Sequence, residues 1–504
     1  MTAEEALASK NERLIYNRFL QSIEAPHFVF FIRDYLNEKY GEDFVQRAGL
    51  KVVTTLDWQI QSAAERIIRE GALTNEESIG AANAAAVVLD PKNGQILAMV
   101  GSRGYFDEQV DGNVNVTLRP RSPGSAIKPI IYATAFKKGL SDKTVVFDVP
   151  TDFPVEVPGE KPYQPQNYDL EFIGPVNLRQ SLAQSRNLPS VKVLYLAGID
   201  DALKTARDLG ITTLEDRSRY YLSLALGGAE ILPIELAAAY GAFAQDGVLH
   251  KTASILRIED AQGQVLEEYH NESKRVLDSQ IARQVTDILV DNEARIPVFG
   301  ASSPLFFEDH QVAVKTGTSQ DYYDAWTVGY TPSVVVAVWG GNNNNDVFLA
   351  ERAAGVYVAA PMWRAIMAEA LKNKSSESFP KPNPASLPDK MMLNGSWQAP
   401  NGEVHSSLFY IDPKDPLGPP PQNPTVDPQF LAWEAGVQTW LRTSGLPNSP
   451  TPQTNIINQP QIKVVSPAFN QVVTEALINL QSEITGPNPI RQADFFFDGR
   501  LVGT

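Results

Sequence analysis

The sequence predicts an α+β fold in which helices pack on both faces of a five-stranded antiparallel sheet. Two apolar runs flank the turn D-P-K-N-G at residues 90–94, a pattern typical of a β-hairpin. Helical periodicity then dominates from residue 125 to about 245. From residue 311 three strand-like runs follow one another with short connections, which indicates an antiparallel meander. A hairpin, a helical block and a meander together favour one layered domain.

Local patterns predict the individual elements in chain order. Asp57 is a plausible N-cap, because a short acidic side chain placed just before an apolar-periodic run can accept from free backbone N–H groups. The prediction comprises helices at 2–22 and 28–40, a strand at 50–55, a helix over 59–68, a hairpin at 85–102, helices over 178–185 and 232–244, strands at 311–318, 324–331 and 333–340, and a helix at 428–441.

Changes in composition predict four regions. Residues 1–49 form a helical connector, and residues 50–375 form the main α+β domain. Residues 376–460 form a proline-rich linker with a short helix. Residues 461–504 begin a small β-domain, a partial β-sandwich that we expect to be truncated at Thr504, because half a sandwich would expose a sheet edge.

Composition excludes several classes of function. The 504 residues carry a net charge of −16, which argues against nucleic acid and against a polybasic membrane surface. There are no cysteines, and the five histidines are scattered without a paired spacing. We therefore expect neither a metal nor another cofactor. No run of about 18 apolar residues predicts a membrane-spanning helix.

The first candidate for chemistry is S-A-I-K, Ser125 to Lys128. Pro129 and an apolar run follow it, so the turn enters a core, and we expect Lys128 to be partly desolvated and able to accept a proton as a neutral amine. Serine and lysine three residues apart lie on one helix face, which is a way to activate a nucleophile without histidine. Alone, the pattern is more often a helix-starting serine followed by a solvated lysine.

Two further short patterns complete the candidate set. Ser185 and Asn187 lie in S-R-N at the end of a predicted helix, where an ordinary helix cap is the common explanation. K-T-G-T, residues 315–318, ends a predicted strand, where a turn glycine is the common explanation. In the functional interpretation Gly317 bares the edge strand for a peptide, while the two threonines and Lys315 bind a carboxylate.

In this order the three patterns match the motif set of penicillin-binding proteins and serine β-lactamases. The likeness extends beyond them over roughly residues 20–375, which resemble the transpeptidase domain of class A penicillin-binding proteins. The segments that carry it are A-P-H-F-V-F-F-I-R-D-Y-L, G-L-K-V-V-T-T-L-D, R-S-P-G-S-A-I-K-P, Q-N-Y-D (166–169), G-P-V-N-L-R-Q-S-L-A-Q-S-R-N-L-P (174–189), L-G-G (226–228), K-T-G-T-S-Q-D-Y-Y-D-A-W-T-V-G-Y-T-P (315–332) and A-A-P-M-W (359–363).

The resemblance implies a serine D,D-transpeptidase that cross-links peptidoglycan stem peptides ending in D-Ala-D-Ala and is acylated by β-lactam antibiotics. The implied roles, taken together, are Ser125 as nucleophile, Lys128 as its general base, Ser185 and Lys315 as a proton relay toward the leaving group, Asn187 as holder of the substrate amide, Thr316 and Thr318 as carboxylate ligands beside Gly317, and the N–H groups of Ser125 and Thr318 as oxyanion hole.

The resemblance also implies an extracytoplasmic location at the cell-wall face of a bacterial membrane. In class A proteins a membrane helix and a glycosyltransferase domain precede this region, and the start of this chain resembles the connector after that domain. Met1 is thus expected to be an artificial boundary, the start of a fragmentary gene or that of a divergent short form. Because the resemblance does not include the glycosyltransferase domain, it does not imply a glycan-polymerising activity for this chain.

Two alternatives stay open at this point. A D,D-carboxypeptidase or β-lactamase would use the same acyl-enzyme and finish with water, although no E-x-x-L-N segment supplies a deacylating base and residues after 375 are superfluous for a small hydrolase. A non-catalytic envelope scaffold would keep the fold without the chemistry. The presence of all three motifs argues against that scaffold.

Overall fold

The structure of the chain is a computed structural model, which describes residues 23–155, 161–319, 322–344, 346, 354–384 and 389–444 and four strands between 461 and 503. The chain divides into two compact units, the first of residues up to 397 with 405–444, the second of 398–404 with residues from 445 onward. The helix predicted at 2–22 lies outside the described residues.

The first unit contains fourteen described helices and twelve described strands. The helices are α1 Pro26–Tyr40, α2 Glu42–Arg47, α3 Trp58–Ile79, α4 Lys128–Lys137, α5 Leu178–Ala183, α6 Asn187–Ala197, α7 Ile199–Asp208, α8 Pro233–Ala244, α9 Ser279–Val290, α10 Asn292–Phe299, α11 Gly355–Val358, α12 Ala360–Leu371, α13 Ser407–Tyr410 and α14 Phe430–Thr443. The strands are β1 Lys51–Thr54, β2 Asn83–Asp90, β3 Gln95–Val100, β4 Val145–Asp148, β5 Gly174–Asn177, β6 Val248–His250, β7 Ile255–Glu259, β8 Val265–Glu268, β9 Ser273–Arg275, β10 Ala313–Thr318, β11 Asp324–Thr331 and β12 Val334–Gly341.

The central sheet confirms the predicted fold class. Its strands lie in the order β10-β11-β12-β2-β3, and every neighbouring pair is antiparallel. The meander and the hairpin, which are more than 200 residues apart in sequence, join where β12 pairs with β2. As a result β10, the strand that carries K-T-G-T, lies at one edge of the sheet, and β3 lies at the other.

Alternation along the strands explains why helices cover both faces. On β12, Val334, Val336 and Val338 point into a core cluster with residues of α3 and α12, such as Ile68 and Trp363. The intervening positions face the opposite side, where α8 packs against β12, β2 and β11. Because successive strand side chains alternate between faces, an unbroken apolar strand requires cover on both.

Local sequence signals operate as the physical chemistry predicts. The carboxylate of Asp57 caps α3 by accepting from the N–H groups of Gln59 and Ile60 at 3.0 and 3.2 Å. Gly94 closes the β2–β3 turn with φ 75°, and a Cβ there would lie 2.2 Å from the main-chain oxygen of Lys251. Only glycine is free of strain at that position.

Several short strands interrupt the segments that the helical prediction covered or left open. β4 and β5 pair with each other inside the block predicted to be helical, and β6 pairs with β9. The strand predicted at 50–55 is present as β1, and it forms a three-stranded sheet with the unpredicted strands β7 and β8. Strands of three to five residues are too short for their periodicity to be recognised in a sequence window. They matter for the site, because β4 ends at a buried aspartate, Asp148.

The helix predicted at 428–441 is present as α14, and residues 405–444 pack within the first unit. Trp433 is buried and makes edge contacts with the rings of Phe153 and Tyr195. The predicted linker region therefore contributes side chains to the core of the main unit, while the boundaries of the four predicted regions stay a prediction. In the second unit, Gln461–Ser466 (β13) pairs with Gln481–Thr485 (β14), and Phe495–Phe497 (β15) with Arg500–Gly503 (β16).

Candidate active site

The candidate nucleophile lies on a tight turn that leads directly into α4. Residues Gly124–Ile127 form a 3-10 turn, and the N–H of Lys128 donates to the main-chain oxygen of Ser125. In 3-10 geometry residues three apart eclipse one another, so the side chains of Ser125 and Lys128 follow the same line along the turn. Ser125 is partly exposed, whereas Lys128 is completely buried, which confirms the expected desolvation of the lysine.

Glycines allow this turn to pack against its neighbours. A Cβ at Gly317 would lie 2.3 Å from the oxygen of Pro123, and one at Gly124, where φ is 51°, would lie 2.2 Å from the oxygen of Thr318. A Cβ at Gly227 would lie 2.3 Å from the N atom of Gly124. A glycine is thus required in K-T-G-T for a packing reason that the sequence did not indicate. Gly317 lets the turn that carries Ser125 approach β10.

Hydrogen bonds from three directions fix the same turn. The indole of Trp326 donates to the oxygen of Ser122 at 2.7 Å, and the hydroxyl of Ser122 donates to the oxygen of Gly227 at 2.7 Å. On the inner side the phenol of Tyr240 donates to the oxygen of Ala126 at 2.7 Å. Because hydrogen bonds fix the backbone on both sides of Ser125, the position of this serine is well defined, which is a requirement for a nucleophile that acts by orientation.

Lys128 is surrounded by oxygen acceptors. Its Nζ donates to the main-chain oxygens of Ser185 (2.9 Å) and Arg186 (3.1 Å) and to Oδ1 of Asn187 (2.9 Å). Burial, with the nearby charges of Lys315 and Arg186, holds the pKa of Lys128 well below its ordinary value. The three acceptors favour the ammonium form and offset part of that effect, but complete burial is the larger influence. Among the described residues no hydrogen bond joins Ser125 Oγ to this amine.

Lys315 and Ser185 form the second contact between motifs. Nζ of Lys315 donates to Oγ of Ser185 at 2.6 Å and to the oxygen of Thr316 at 2.9 Å. Burial, with a smaller contribution from the positive charge of Arg295, lowers the pKa of Lys315 to about 7. An amine with that pKa can both give and take a proton near neutral pH.

The S-R-N segment is a strained connection between two helices. Ser185 follows α5 with φ 58°, a left-handed conformation uncommon for a residue other than glycine. The next residue, Arg186, is buried and forms ion pairs with Asp148 at 2.8 Å and Asp169 at 2.5 Å. Observed strain of this kind is concentrated at functional sites, where surrounding contacts maintain it.

The structure brings the eight predicted residues into one cluster where the Ser125 turn, the S-R-N segment and β10 meet, which we call the cleft. Lys128 contacts Asn187, Lys315 contacts Ser185, and the turn that carries Ser125 packs on the strand that carries Gly317. The remaining members are the threonines of β10. Thr316 is buried, and the hydroxyl of Thr318 accepts from the N–H of Gly355 at 2.9 Å.

Sequence reasoning missed the residues that support this cleft. Asp148 is buried against Arg186, and Asn167 is buried against the start of α6. The Q-N-Y-D segment pointed to Asn167 as part of the resemblance but gave it no role. Arg186 occupies the unassigned middle position of S-R-N.

Comparison with known proteins identifies the domain. The family described as penicillin binding protein transpeptidase domain matches residues 84–368. Penicillin-binding protein 2D of Bacillus subtilis is 30% identical over 375 residues, 73% of this chain and 52% of its own. Penicillin-binding protein 1A of Aquifex aeolicus is 34% identical over 308 residues, 61% of this chain and 40% of its own. The chain thus spans about half the length of the curated relatives it matches.

Solved structures show the same fold. Penicillin-binding protein 1A of Haemophilus influenzae superposes with a TM-score of 0.65 at 22% identity, covering 80% of this chain and 78% of its own. PonA1 of Mycobacterium tuberculosis in complex with penicillin V gives a TM-score of 0.61 at 24% identity, with 79% and 100% covered. Among the described residues no helix is both long and apolar enough to cross a membrane. The family match, over more than half of the chain, shows that this protein belongs to the penicillin-binding protein transpeptidase family.

Proposed function

We propose that the chain is a serine D,D-transpeptidase that joins peptidoglycan stem peptides through an acyl-enzyme on Ser125. The observation that carries this proposal is the convergence of the three motifs. Lysines 128 and 315 come from separate elements and are both buried, and they meet the Ser185–Asn187 segment through hydrogen bonds of 2.6–3.1 Å. Buried amines with lowered pKa values beside a serine form an activated nucleophile.

In the first step the neutral amine of Lys128 takes the proton of Ser125 as Oγ attacks the carbonyl carbon of the penultimate D-Ala. Three oxygens accept hydrogen bonds from Lys128, so one of them has to be released before Nζ can face Ser125. Catalytic hydrogen bonds are often longer without substrate than in the complex, which makes such a rearrangement reasonable.

The tetrahedral oxyanion formed by this attack is held by the N–H groups of Ser125 and Thr318. This assignment is supported by the close approach of Gly124, which precedes Ser125, to the backbone of Thr318. The hydroxyls of Thr316 and Thr318 hold the terminal carboxylate, with the charge of Lys315 beside them. Asn187 has one amide hydrogen not used by the oxygen of Gln166, and we assign that hydrogen to the substrate amide.

Collapse of the intermediate breaks the C–N bond to the terminal D-Ala. Ser185 gives its proton to the departing nitrogen and is reprotonated by Lys315, which regains the proton from Lys128. An amine of a neighbouring stem peptide then attacks the ester carbon and gives a proton to Lys128. As the bond from carbon to Oγ breaks, Lys128 passes that proton to Oγ and Ser125 is restored, so atoms and protons balance. The proposed partners are therefore stem peptides and β-lactams. The proposed location is the cell-wall face of a bacterial membrane, where stem peptides occur.

The test is the intact mass of the protein after incubation with a penicillin, beside Ser125→Ala. We expect one long-lived adduct, equal to the mass of the penicillin, on the parent and none on the variant. Absence of an adduct on the folded parent would contradict the proposal and favour a non-catalytic scaffold.

Stem-peptide substrates distinguish transfer from hydrolysis. With an acceptor amine present, we expect a cross-linked product in addition to released D-Ala. Release of D-Ala without a cross-link, or rapid loss of the penicillin adduct, would instead identify a carboxypeptidase or a β-lactamase.

A further inference from the structure

Asn167 is a buried amide that uses all of its hydrogen-bonding capacity at the edge of the cleft. Its Oδ1 accepts from the N–H groups of Asn187 at 2.8 Å and Leu188 at 3.3 Å. Its Nδ2 donates to Oδ1 of Asp148 and to the oxygen of Glu171, each at 2.8 Å. A carboxamide has two donor hydrogens and two acceptor lone pairs, so Asn167 is fully satisfied.

These contacts make Asn167 the cap of α6. The N-cap residue of that helix, Arg186, forms no side-chain cap bond, and Asn167 takes its place from 20 residues earlier in the chain. The first residue of the helix is Asn187, whose Nδ2 donates to the oxygen of Gln166 at 2.8 Å. The main-chain N–H and the side chain of Asn187 are therefore both bound by one loop, residues 166–171, which we call the Asn167 loop.

The loop also fixes the oxygens that hold Lys128. Asp148, bonded to Asn167, accepts from Arg186 at 2.8 Å, and Arg186 in turn donates to Asp169 of the same loop. The oxygen of Arg186 is one of the acceptors of Lys128. A shift of this loop would move Lys128 and Asn187 together.

We propose that Asn167 is a positioning residue for acylation, because its carboxamide caps α6 and thereby fixes Asn187 and the carbonyl groups that orient Lys128. The inference rests on the proposed acyl transfer at Ser125. Asn167 itself touches none of the reacting atoms, so its effect is exerted on the geometry of the groups that do.

The experiment compares the parent with Asn167→Leu and Asn167→Asp, using a fluorescent penicillin at saturating and limiting concentrations over a range of pH. For Asn167→Leu we expect the first-order acylation step to fall by about 10²-fold, as for a small misplacement of catalytic groups. The constant for reversible penicillin binding should change far less.

Asn167→Asp provides a pH signature that a loss of stability would not imitate. The new carboxylate keeps the acceptors for α6 but lies beside Asp148, where two negative charges repel unless a proton is shared. The ratio of the variant acylation rate to the parent rate should therefore rise as the pH is lowered.

Gln61→Leu serves as the matched control. Gln61 is also a buried amide, but it bonds to Met99 on the opposite edge strand of the sheet. The control should lower stability without slowing the acylation of the folded fraction. Parental acylation by Asn167→Leu, or an equal slowing by Gln61→Leu, would overturn the inference.

Hydrogen exchange gives a readout independent of activity. The amides of Asn187 and Leu188 should exchange faster in Asn167→Leu than in the parent, and unchanged protection would refute the capping role. If the parent itself forms no adduct on Ser125, the proposed function fails and the positioning role with it, whereas failure of the Asn167 variants alone leaves the proposed function intact.

Discussion

Two regions of the first unit are built on opposite principles. The face of the sheet covered by α3 and α12 is filled by apolar side chains of β2, β3, β10 and β12, such as Val336, which pack against helix side chains such as Ile366. The cleft beside β10 instead buries the amines of Lys128 and Lys315, together with the carboxylate of Asp148 that pairs with Arg186. Burial of apolar side chains stabilises the first region. Burial of polar and charged groups costs free energy in the second region, and hydrogen bonds have to offset that cost.

The contrast separates stability from chemistry. In the apolar region the truncation of a side chain leaves a cavity, which lowers stability without changing the pKa of a cleft residue. In the cleft, burial lowers the pKa of Lys128 and of Lys315, so the same desolvation that costs folding free energy favours the neutral amines that the proposed mechanism requires. Substitutions in the two regions should therefore change different measurements.

Lys128→Met should give the largest effect on acylation. Removing a general base slows proton transfer by roughly 10²–10⁴-fold, so we expect the acylation constant for penicillin to fall by about 10³-fold. In the parent the amine has to be neutral, so acylation should fall as the pH drops through the lowered pKa of Lys128, well below the ordinary range of lysine. Rates near those of the parent in a folded variant would assign the base elsewhere.

Ile366→Ala should have the complementary effect. Ile366 is 1% exposed and lies within the apolar cluster of α12 and the sheet. Truncation of a buried isoleucine lowers the free energy of unfolding by about 2–5 kcal/mol, which denaturant titration can measure. Because no cleft residue lies in that cluster, the acylation constant of the folded variant should equal that of the parent. A clear slowing would show that the two regions are coupled through the sheet.

The apolar region was predictable from sequence, because periodicity and turn chemistry are local. The alternation along 334–341, the D-P-K-N-G turn and the cap at Asp57 each follow from neighbouring residues. Strands such as β4 escaped prediction since four residues establish no period.

The cleft was predictable only in part. The motifs indicated candidate residues for the chemistry, and the structure brings them together, while their roles are proposals. Asn167 and Asp148 could not be predicted, because their partners lie 19–38 residues away and nothing local marks a long-range hydrogen bond. The contact between Gly317 and Pro123 was hidden for the same reason.

Lys192→Met should give the smallest effect and sharpen the contrast, because Lys192 is a buried lysine outside the three motifs. Its Nζ donates to the oxygen of Phe147 at 2.8 Å and lies 5.1 Å from the ring centroid of Trp433. Burial lowers its pKa to about 7 in the folded protein, against 10.5 for an ordinary lysine. Between these values the unfolded chain binds more protons, so the parent gains stability as the pH rises from about 7 to 10.5. Above that window the variant should be less stable by about 1 kcal/mol, the contribution of the lost hydrogen bond. As the pH falls to 7 the parent loses more than this amount, so the difference should reverse in sign. Denaturant titrations of both proteins across the window measure this difference, and a difference independent of pH would mean that Lys192 keeps an ordinary pKa despite its burial.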